Sequence, residues 1–428
     1  MSTKLQRHKL SSLIDVKRGQ SISGEYYASE GEYIRLTLAN FDYVNGGFKE
    51  DTQKDDLFYT GPVKPECLLK EGDIITPLTE QALGLLGSTA RIPDSDKYVQ
   101  SGDIALVTCK DGLIDPNFCY YLLPSRQVKK QLAAGSQQTK IRHTSPDAIK
   151  ACVVDIPEYE QQKKIGEFLS LLDRKISLNR AINKNLEALA KQIYDYWFVQ
   201  FDFPNENGCP YKSSGGKMIW NEKLKREIPI NWSNCDLNTY IGRITNGLNP
   251  RKNFVLGTGN NYYITIRSLL GTDIDWKNCD RCDDQALQKI NSRSQLQVGD
   301  VIFSAIGTIG RTYFIQEEPN NWNISETSFT LRAKENVNPY FFYALLRSEE
   351  IQMRADKQAM GSTLRCLVMD SLCKIPTIRV DSAVIEKFGK SVKPLYQQIY
   401  QINKEIRKLT NLKDELLPLL MNGQVKIK

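Results

Sequence analysis

The sequence predicts an α+β fold of two similar halves, each a strand-rich globular domain running into a long helix. Three observations predict it: an ordered internal repeat, short β-rich runs at the start of each half, and sustained apolar heptads at the end of each. A chain of 428 residues is in any case too long for one hydrophobic core, so more than one domain is expected.

The repeat has a period of roughly 220 to 230 residues, and self-similarity at so long a period marks duplicated architecture. "YIRLTLANF" from Tyr33 has its counterpart in "YITIRSLL" from Tyr263, each after a glycine turn at Gly19 or Gly247. "LKEGDIITPL" from Leu69 matches "LQVGDVIFSA" from Leu296, and "DPNFCYYLLPS" from Asp115 matches "NPYFFYALLRS" from Asn338. "AGS" at Ala134 and "MGS" at Met360 follow, then "VVDIPEYEQQKKIGEFL" from Val153 and "LCKIPTIRVDSAVIEKFG" from Leu372, aligned on their Ile-Pro pairs. The matches keep their order, which chance does not explain.

Each half opens with short runs of Val, Ile, Tyr, Phe and Thr punctuated by Gly, Asp and Asn, the pattern of strands and turns. Each closes on a helix. In the first, apolar residues recur at Ile165, Phe168, Leu172, Ile182, Leu186, Leu189, Ile193 and Tyr196, with Lys175 and Asn179 on the same seam. In the second they recur at Ile385, Phe388, Val392, Leu395, Ile399, Ile402, Ile406, Leu409 and Leu416. Steps of three and four over this length are heptads, and two narrow seams most simply bury one another as a coiled coil. The alternative is that each helix packs on its own domain, for which a broader apolar face is usual. Pro394 is expected to kink or restart the second helix. The expected boundaries are a first domain at 1–157, a helix at 158–198, a crossover linker at 199–229, a second domain at 230–376, and a helix with its tail at 377–428.

Composition narrows the function. Hydrophobic residues at 41% and charged residues at 25% fit a folded protein. The apolar runs fall short of the roughly 20 residues that span a bilayer, and "MSTKLQRHKL" lacks a signal-peptide core, so a cytoplasmic protein without membrane contact is expected. Ten scattered cysteines do not make a disulfide framework. Cys279 and Cys282 form one C-x-x-C, but a zinc site needs two further ligands and neither His8 nor His143 has matching spacing, so packing of the thiols is the better reading. The net charge of +7 is mildly favourable to a polyanion and requires any DNA-binding charge to be concentrated locally.

Motifs for chemistry are weak. "DPNF" at Asp115 approaches the D-P-P-Y/F loop of amino-methyltransferases, but Asn117 replaces the second proline; capping of a helix by Asp115 or Asn338, with proline in the first turn, explains both copies. "VLGTGN" at Val255 is a lone G-x-G, and "GGKM" at Gly215 lacks the rest of a phosphate loop. "PDSDK" at Pro93 crowds its carboxylates too closely for a metal-dependent nuclease and reads as a turn. With two histidines and no supported nucleophile pair, the chain lacks the parts for catalysis of its own.

DNA-reading candidates fall instead in loops at matching places. A glycine-rich loop after each "GD" strand carries Thr79, Ser88 and Arg91 in the first half and Thr308 and Arg311 in the second. Later polar loops carry Gln137, Gln138, Lys140 and Arg142, and Thr363 and Arg365. Arg251 and Lys252 lie beside the glycine turn of the second half. Such side chains can donate to base edges or hold phosphates, although for any single one a solvated surface residue is the bland alternative.

Together these features resemble the DNA-specificity subunits of type I restriction-modification systems. The resemblance covers nearly the whole chain and is most specific at "DIPEYEQQKKIGEFLSLLDRKISLN" from Asp155, at "YDYWFVQFDFP" from Tyr194, and at the C-terminal "LTNLKDELLPLLMNGQVKI". The second boundary departs from it, since "TIRVDSAVIEKFG" lacks the pair Glu160 and Gln161. The resemblance implies two target-recognition domains held apart by two antiparallel helices, each domain reading half of a bipartite double-stranded DNA target. It implies a non-catalytic chain with partners: two modification subunits that methylate adenine with S-adenosylmethionine, and restriction subunits that use ATP and magnesium. Tyr194, Trp197, Phe198, Leu416 and Leu420 are the expected partner interface. A seam from Ile165 to Tyr196 spans about 50 Å at about 1.5 Å per residue, or about 14 base pairs, an upper bound on half-site separation. The rival readings are a self-contained methyltransferase or nuclease, and a coiled-coil adaptor without a DNA role.

Overall fold

A computed structural model describes residues 4–42, 46–51, 54–80, 85–135, 142–362 and 364–427. Its backbone contacts divide the chain into one unit of residues up to Ser177 with those from Lys408 onward, and another of Leu178–Arg407. Two long helices, Tyr159–Tyr194 and Ser382–Met421, each contribute to both units.

Both units are built to one plan. The first holds a four-stranded antiparallel sheet in the order Ile14–Arg18, Ile104–Cys109, Ile74–Pro77, Ala90–Arg91. The second repeats the order with Ile241–Asn246, Ser328–Ala333, Val301–Ser304 and Thr312–Phe314. Each also has a parallel pair, Tyr33–Arg35 beside Tyr98–Val99 and Asn261–Ile264 beside Trp322–Ile324. Alternation of large β-branched and aromatic residues lets these strands bury almost every side chain, as in "VIFS" from Val301.

A two-stranded ribbon leads into each long helix. Gln6 pairs with Ile156 and Lys9 with Val153, and Leu10 N–H bonds to the Cys152 carbonyl. In the other unit Ser233 pairs with Arg379 and Asp236 with Pro376, and Leu237 N–H bonds to the Ile375 carbonyl. This register corrects the alignment of the two Ile-Pro pairs. Pro157 follows its strand whereas Pro376 begins its strand, so Cys152, not Ile156, corresponds to Ile375. Two prolines at different structural places had suggested one boundary.

The helices run antiparallel wherever they meet within a unit. In the first unit Lys413 reaches Asp173 at 2.5 Å and Gln161 donates to the Ile427 carbonyl at 3.3 Å. In the second, Asn179 donates to Glu405 at 2.9 Å and Asn183 to Asn403 at 2.6 Å. The buried face of the first helix is Ile165, Leu169, Ile176, Asn179, Asn183, Ala190 and Tyr194. The expected seam therefore drifts off the contact: Leu189 is 43% and Tyr196 39% exposed, and Lys175 is exposed as well. Small Ala190 is buried where Leu189 was expected. A strict 3.5-residue count does not follow a helix that also covers globular cores, where 3.6 governs. Pro394 leaves the second helix unbroken over 40 residues. It lies on the exposed side, so the carbonyl it deprives of a partner can face water.

The first helix ends in a π turn at Asp195–Val199, whose wider winding turns both Trp197 and Phe198 inward. They join Tyr194, Phe341, Phe388 and Trp232 in the main core of the second unit. Phe201, at φ +64°, redirects the chain, and Phe203 stacks between Tyr211 and Trp232. Leu224 and Ile228 of residues 199–229 belong to the same core. In the first unit Leu420 and Met421 complete a core with Ile165, Leu169, Phe118 and Leu122.

Glycine allows each long helix to touch its domain closely. A Cβ on Gly166 would stand 2.6 Å from the Phe118 nitrogen, and one on Gly389 would stand 2.1 Å from Asn338 Cγ. The contact is with the first turn of a capped helix in both cases. Asp115 accepts from Phe118 N–H at 2.9 Å and Asn338 from Tyr340 N–H at 3.1 Å, with Pro116 and Pro339 in the first turn, which is the structural role expected of both "DPNF" and "NPYF".

Candidate nucleic-acid interface

In each unit the fold brings the glycine-rich loop beside the later polar loop. The strand Ile74–Pro77 continues into Thr79–Glu80, which pairs antiparallel with Arg142–His143, and Thr144 N–H closes on the Leu78 carbonyl at 2.8 Å. In the second unit Ile306 bridges Cys366, Leu367 N–H closes on the Ala305 carbonyl at 2.8 Å, and Gly307 N–H on the Arg365 carbonyl at 2.8 Å. Arg142 and Arg365 thus occupy corresponding positions.

The second glycine loop is closed by a hydroxyl. Ser304 Oγ donates to the Thr308 carbonyl at 2.6 Å and accepts from Arg311 N–H at 2.8 Å. Gly307 and Gly310 supply the positive φ, +83° and +86°, that so tight a loop demands. Thr308 is exposed at its tip. Arg311 is also exposed, with its guanidinium turned to the carbonyls of Ile266 and Leu269 at 3.2 and 3.3 Å.

The first glycine loop is organised by Glu80. This carboxylate is buried, accepts Leu85 N–H at 2.9 Å on Oε1, and faces Arg142 across 3.8 Å with Oε2. Ser88 is half-buried, its N–H on the Leu85 carbonyl at 2.8 Å. Two candidates are drawn into structure. Thr79 is buried, its hydroxyl donating to Asp103 at 2.8 Å and lying 3.3 Å from His143 Nδ1. Arg91 donates to Asn117 at 2.7 Å and lies over the Tyr120 ring at 4.7 Å. Its strand position corresponds to Phe314, which stacks on Tyr343 and meets Tyr340 edge-on. A core position filled by an arginine looks, in sequence, like a free cation.

Gln137, Gln138, Lys140 and Thr363 lie outside the described residues. Arg365 is half-buried beside Asp356 at 2.5 Å. Arg251 and Lys252 are exposed on a short turn capped by Asn249, whose side chain accepts Arg251 N–H at 2.9 Å. The fold adds neighbours to them that sequence spacing did not suggest. Lys289 donates to the Asn253 carbonyl, Arg293 to Asn246, and Arg281 to the Asn260 carbonyl. These come from a strand and the helix Asp284–Ser294, remote in sequence, so only tertiary structure could have gathered them.

The expected partner interface is spent within the chain. Tyr194, Trp197, Phe198 and Leu420 are buried core, and Leu416 is half-buried against the core that holds Leu420. Hydrophobic aromatics beside a helix end signalled burial correctly but not what would bury them. Cys279 and Cys282 point into separate cores, Cys279 with Ile264 and Trp322, Cys282 with Tyr263 and Ile290. Burial raises both thiols above their usual range, which favours the protonated, packing form. Among the described residues no group of three or more His, Cys, Asp or Glu could hold a metal, and no helix is long and apolar enough to cross a membrane.

Residues 4–188 match the family described as type I restriction modification DNA specificity domain. The chain is 24% identical over 415 residues to the type I restriction enzyme MjaIX specificity subunit of Methanocaldococcus jannaschii, covering 94% of this chain and 88% of that one. It is 21% identical over 446 residues to the HindI specificity subunit of Haemophilus influenzae, covering 92% of each. Its fold is similar to the S subunit of a type I restriction-modification system from M. genitalium, with a TM-score of 0.61 and 18% identity, covering 98% of this chain and 96% of the other. On the matched domain, the full-length likeness and the duplicated fold together, the chain belongs to the family of DNA-specificity subunits of type I restriction-modification enzymes.

Proposed function

We propose that each unit of this specificity subunit reads one half of a bipartite double-stranded DNA target. The observation that carries this reading is the recurrence, in both units, of a glycine-rich loop hydrogen-bonded to a second loop that presents an arginine, Arg142 or Arg365. Backbone N–H groups and guanidinium at one place suit phosphate and base-edge contacts. Arg251, Lys252, Thr308 and Arg311 extend the surface in the second unit, and Gln137, Gln138, Lys140 and Thr363 belong to the same proposal.

The subunit itself is non-catalytic and works in a complex with other restriction-modification subunits. In this reading two modification subunits methylate adenine with S-adenosylmethionine and restriction subunits cleave with ATP and magnesium, all in the cytoplasm. The long helices set the spacing between half-sites. The domain boundaries at 157, 198, 229 and 376 are part of the proposal.

Methylation mapping in cells that carry the assembled system tests it. Arg142→Ala is expected to relax or abolish one half of the methylated motif and Arg365→Ala the other. A single continuous motif, or loss of the same half in both variants, defeats the reading. Methyl transfer by the chain without partners would revive the enzyme alternative.

A further inference from the structure

Arg142 and Arg365 share more than their place in the fold. Each is tied to a carboxylate of its own unit: Arg142 to Glu80 at 3.8 Å, Arg365 to Asp356 at 2.5 Å, with the Asp356 carbonyl accepting a second guanidinium N–H. The carboxylates do not correspond. Glu80 sits in the loop strand directly opposite Arg142, whereas Gly307 faces Arg365 and Asp356 comes from the helix Glu349–Gln358. The pairing therefore recurs while its source differs, which simple copying of residues by duplication would not produce.

Glu80 is also fixed where it stands. It is buried, and its other oxygen holds the Leu85 N–H, so it cannot follow the arginine outward. Lys129 lies close enough for the Glu80 charge to act on its ammonium, opposing the effect of burial there, and offers Glu80 a second positive neighbour. The flexible member of the pair is the arginine.

We propose that Glu80 and Asp356 are built-in competitors of DNA phosphate. Each holds its arginine in the free protein and stays behind as a negative charge when the arginine turns to a duplex. Non-specific binding is almost wholly phosphate electrostatics, so it suffers most from the exchange. Binding persists where base contacts add to it, which makes the carboxylates repulsive elements that widen the gap between right and wrong sequences. This rests on the reading of the paired loops as DNA-reading loops.

The test is fluorescence anisotropy of the full chain with a mixed-sequence DNA duplex, across a salt titration. Glu80→Gln keeps an oxygen for Leu85 and is expected to tighten binding about threefold to tenfold at low salt; Asp356→Asn, which leaves the carbonyl contact to Arg365, about twofold to fivefold. The Glu80→Gln gain is expected to vanish in an Arg142→Gln background. An equal gain in that background means a general charge effect and overturns the proposal. So does unchanged binding in both carboxylate variants while Arg142→Gln and Arg365→Gln weaken it, an outcome that leaves the loop assignment standing. Unchanged binding in the arginine variants removes the loop assignment and the proposal together. The exposed Asp356 supplies the answer if Glu80→Gln does not fold.

Discussion

The two units share strand order and register but fill corresponding places with different chemistry. Where the first unit sets Arg91 against Asn117 and Tyr120, the second stacks Phe314 on Tyr340 and Tyr343. Where the first uses Asp73 to close a turn on Lys70 N–H at 2.8 Å, the second buries Asp300 completely, closing the same turn on Gln297 N–H at 2.9 Å and binding Arg332 through both oxygens at 2.7 and 2.9 Å. Backbone hydrogen bonds and the close helix contact are what the duplication kept. Side chains were free to change wherever the new one still filled space and satisfied its neighbours.

That comparison can be broken or sharpened by paired substitutions, read by amide hydrogen exchange so that each unit is followed separately. The largest effect is expected at the helix contact. Phe388→Ala, which removes a ring touching Tyr194, Trp197, Phe198 and Phe341, should cost the second unit about 3 to 5 kcal/mol, and Ile165→Ala in the corresponding place should cost the first unit about 2 to 4 kcal/mol. Loss of protection spreading equally through both units would show that they do not unfold separately.

Next comes the turn aspartate. Asp300→Asn strips charge from a buried partner of Arg332 and should cost about 2 to 3 kcal/mol, whereas Asp73→Asn should stay under about 1 kcal/mol. Equal costs would mean that the ion pair adds nothing to the turn. The glycines follow: Gly166→Ala meets backbone and should destabilise by about 1 to 2 kcal/mol, while Gly389→Ala meets only the Asn338 side chain and should cost less. Smallest is Arg91→Gln, at about 1 kcal/mol, with the salt dependence of DNA binding unchanged. Arg142→Gln should instead lower the salt slope by about one. A reduced slope for Arg91→Gln would return that residue to the interface.

How much of this was legible in the sequence follows from the range of each cause. The repeat, both helices and their caps at Asp115 and Asn338 depend on local periodicity and were readable. The ribbon register was not, because two Ile-Pro pairs offered a false correspondence that only the pairing of Leu10 with Cys152 and Leu237 with Ile375 resolves. Loop neighbours such as Arg142 and Arg365 were found through the repeat, which supplies two examples of one design. Thr79 and Arg91 were misjudged because burial is a property of the folded environment, and no local spacing distinguishes a donor facing DNA from one facing Asp103 or Asn117. Lys289 and Arg293 carried no signal, since their proximity to Arg251 arises from a helix thirty-odd positions away whose approach is tertiary.

The π turn at Asp195–Val199 has a consequence for how this chain can change length. A π turn holds one residue more than the α turn it replaces, so deleting a residue there restores ordinary winding while leaving the helix otherwise intact. The deletion would nevertheless swing either Trp197 or Phe198 out of the Phe388 cluster, because an α turn cannot direct both neighbours to one side. Single-residue insertions and deletions are therefore expected to be tolerated on the exposed loops of the second unit and rejected at this one place on the helix.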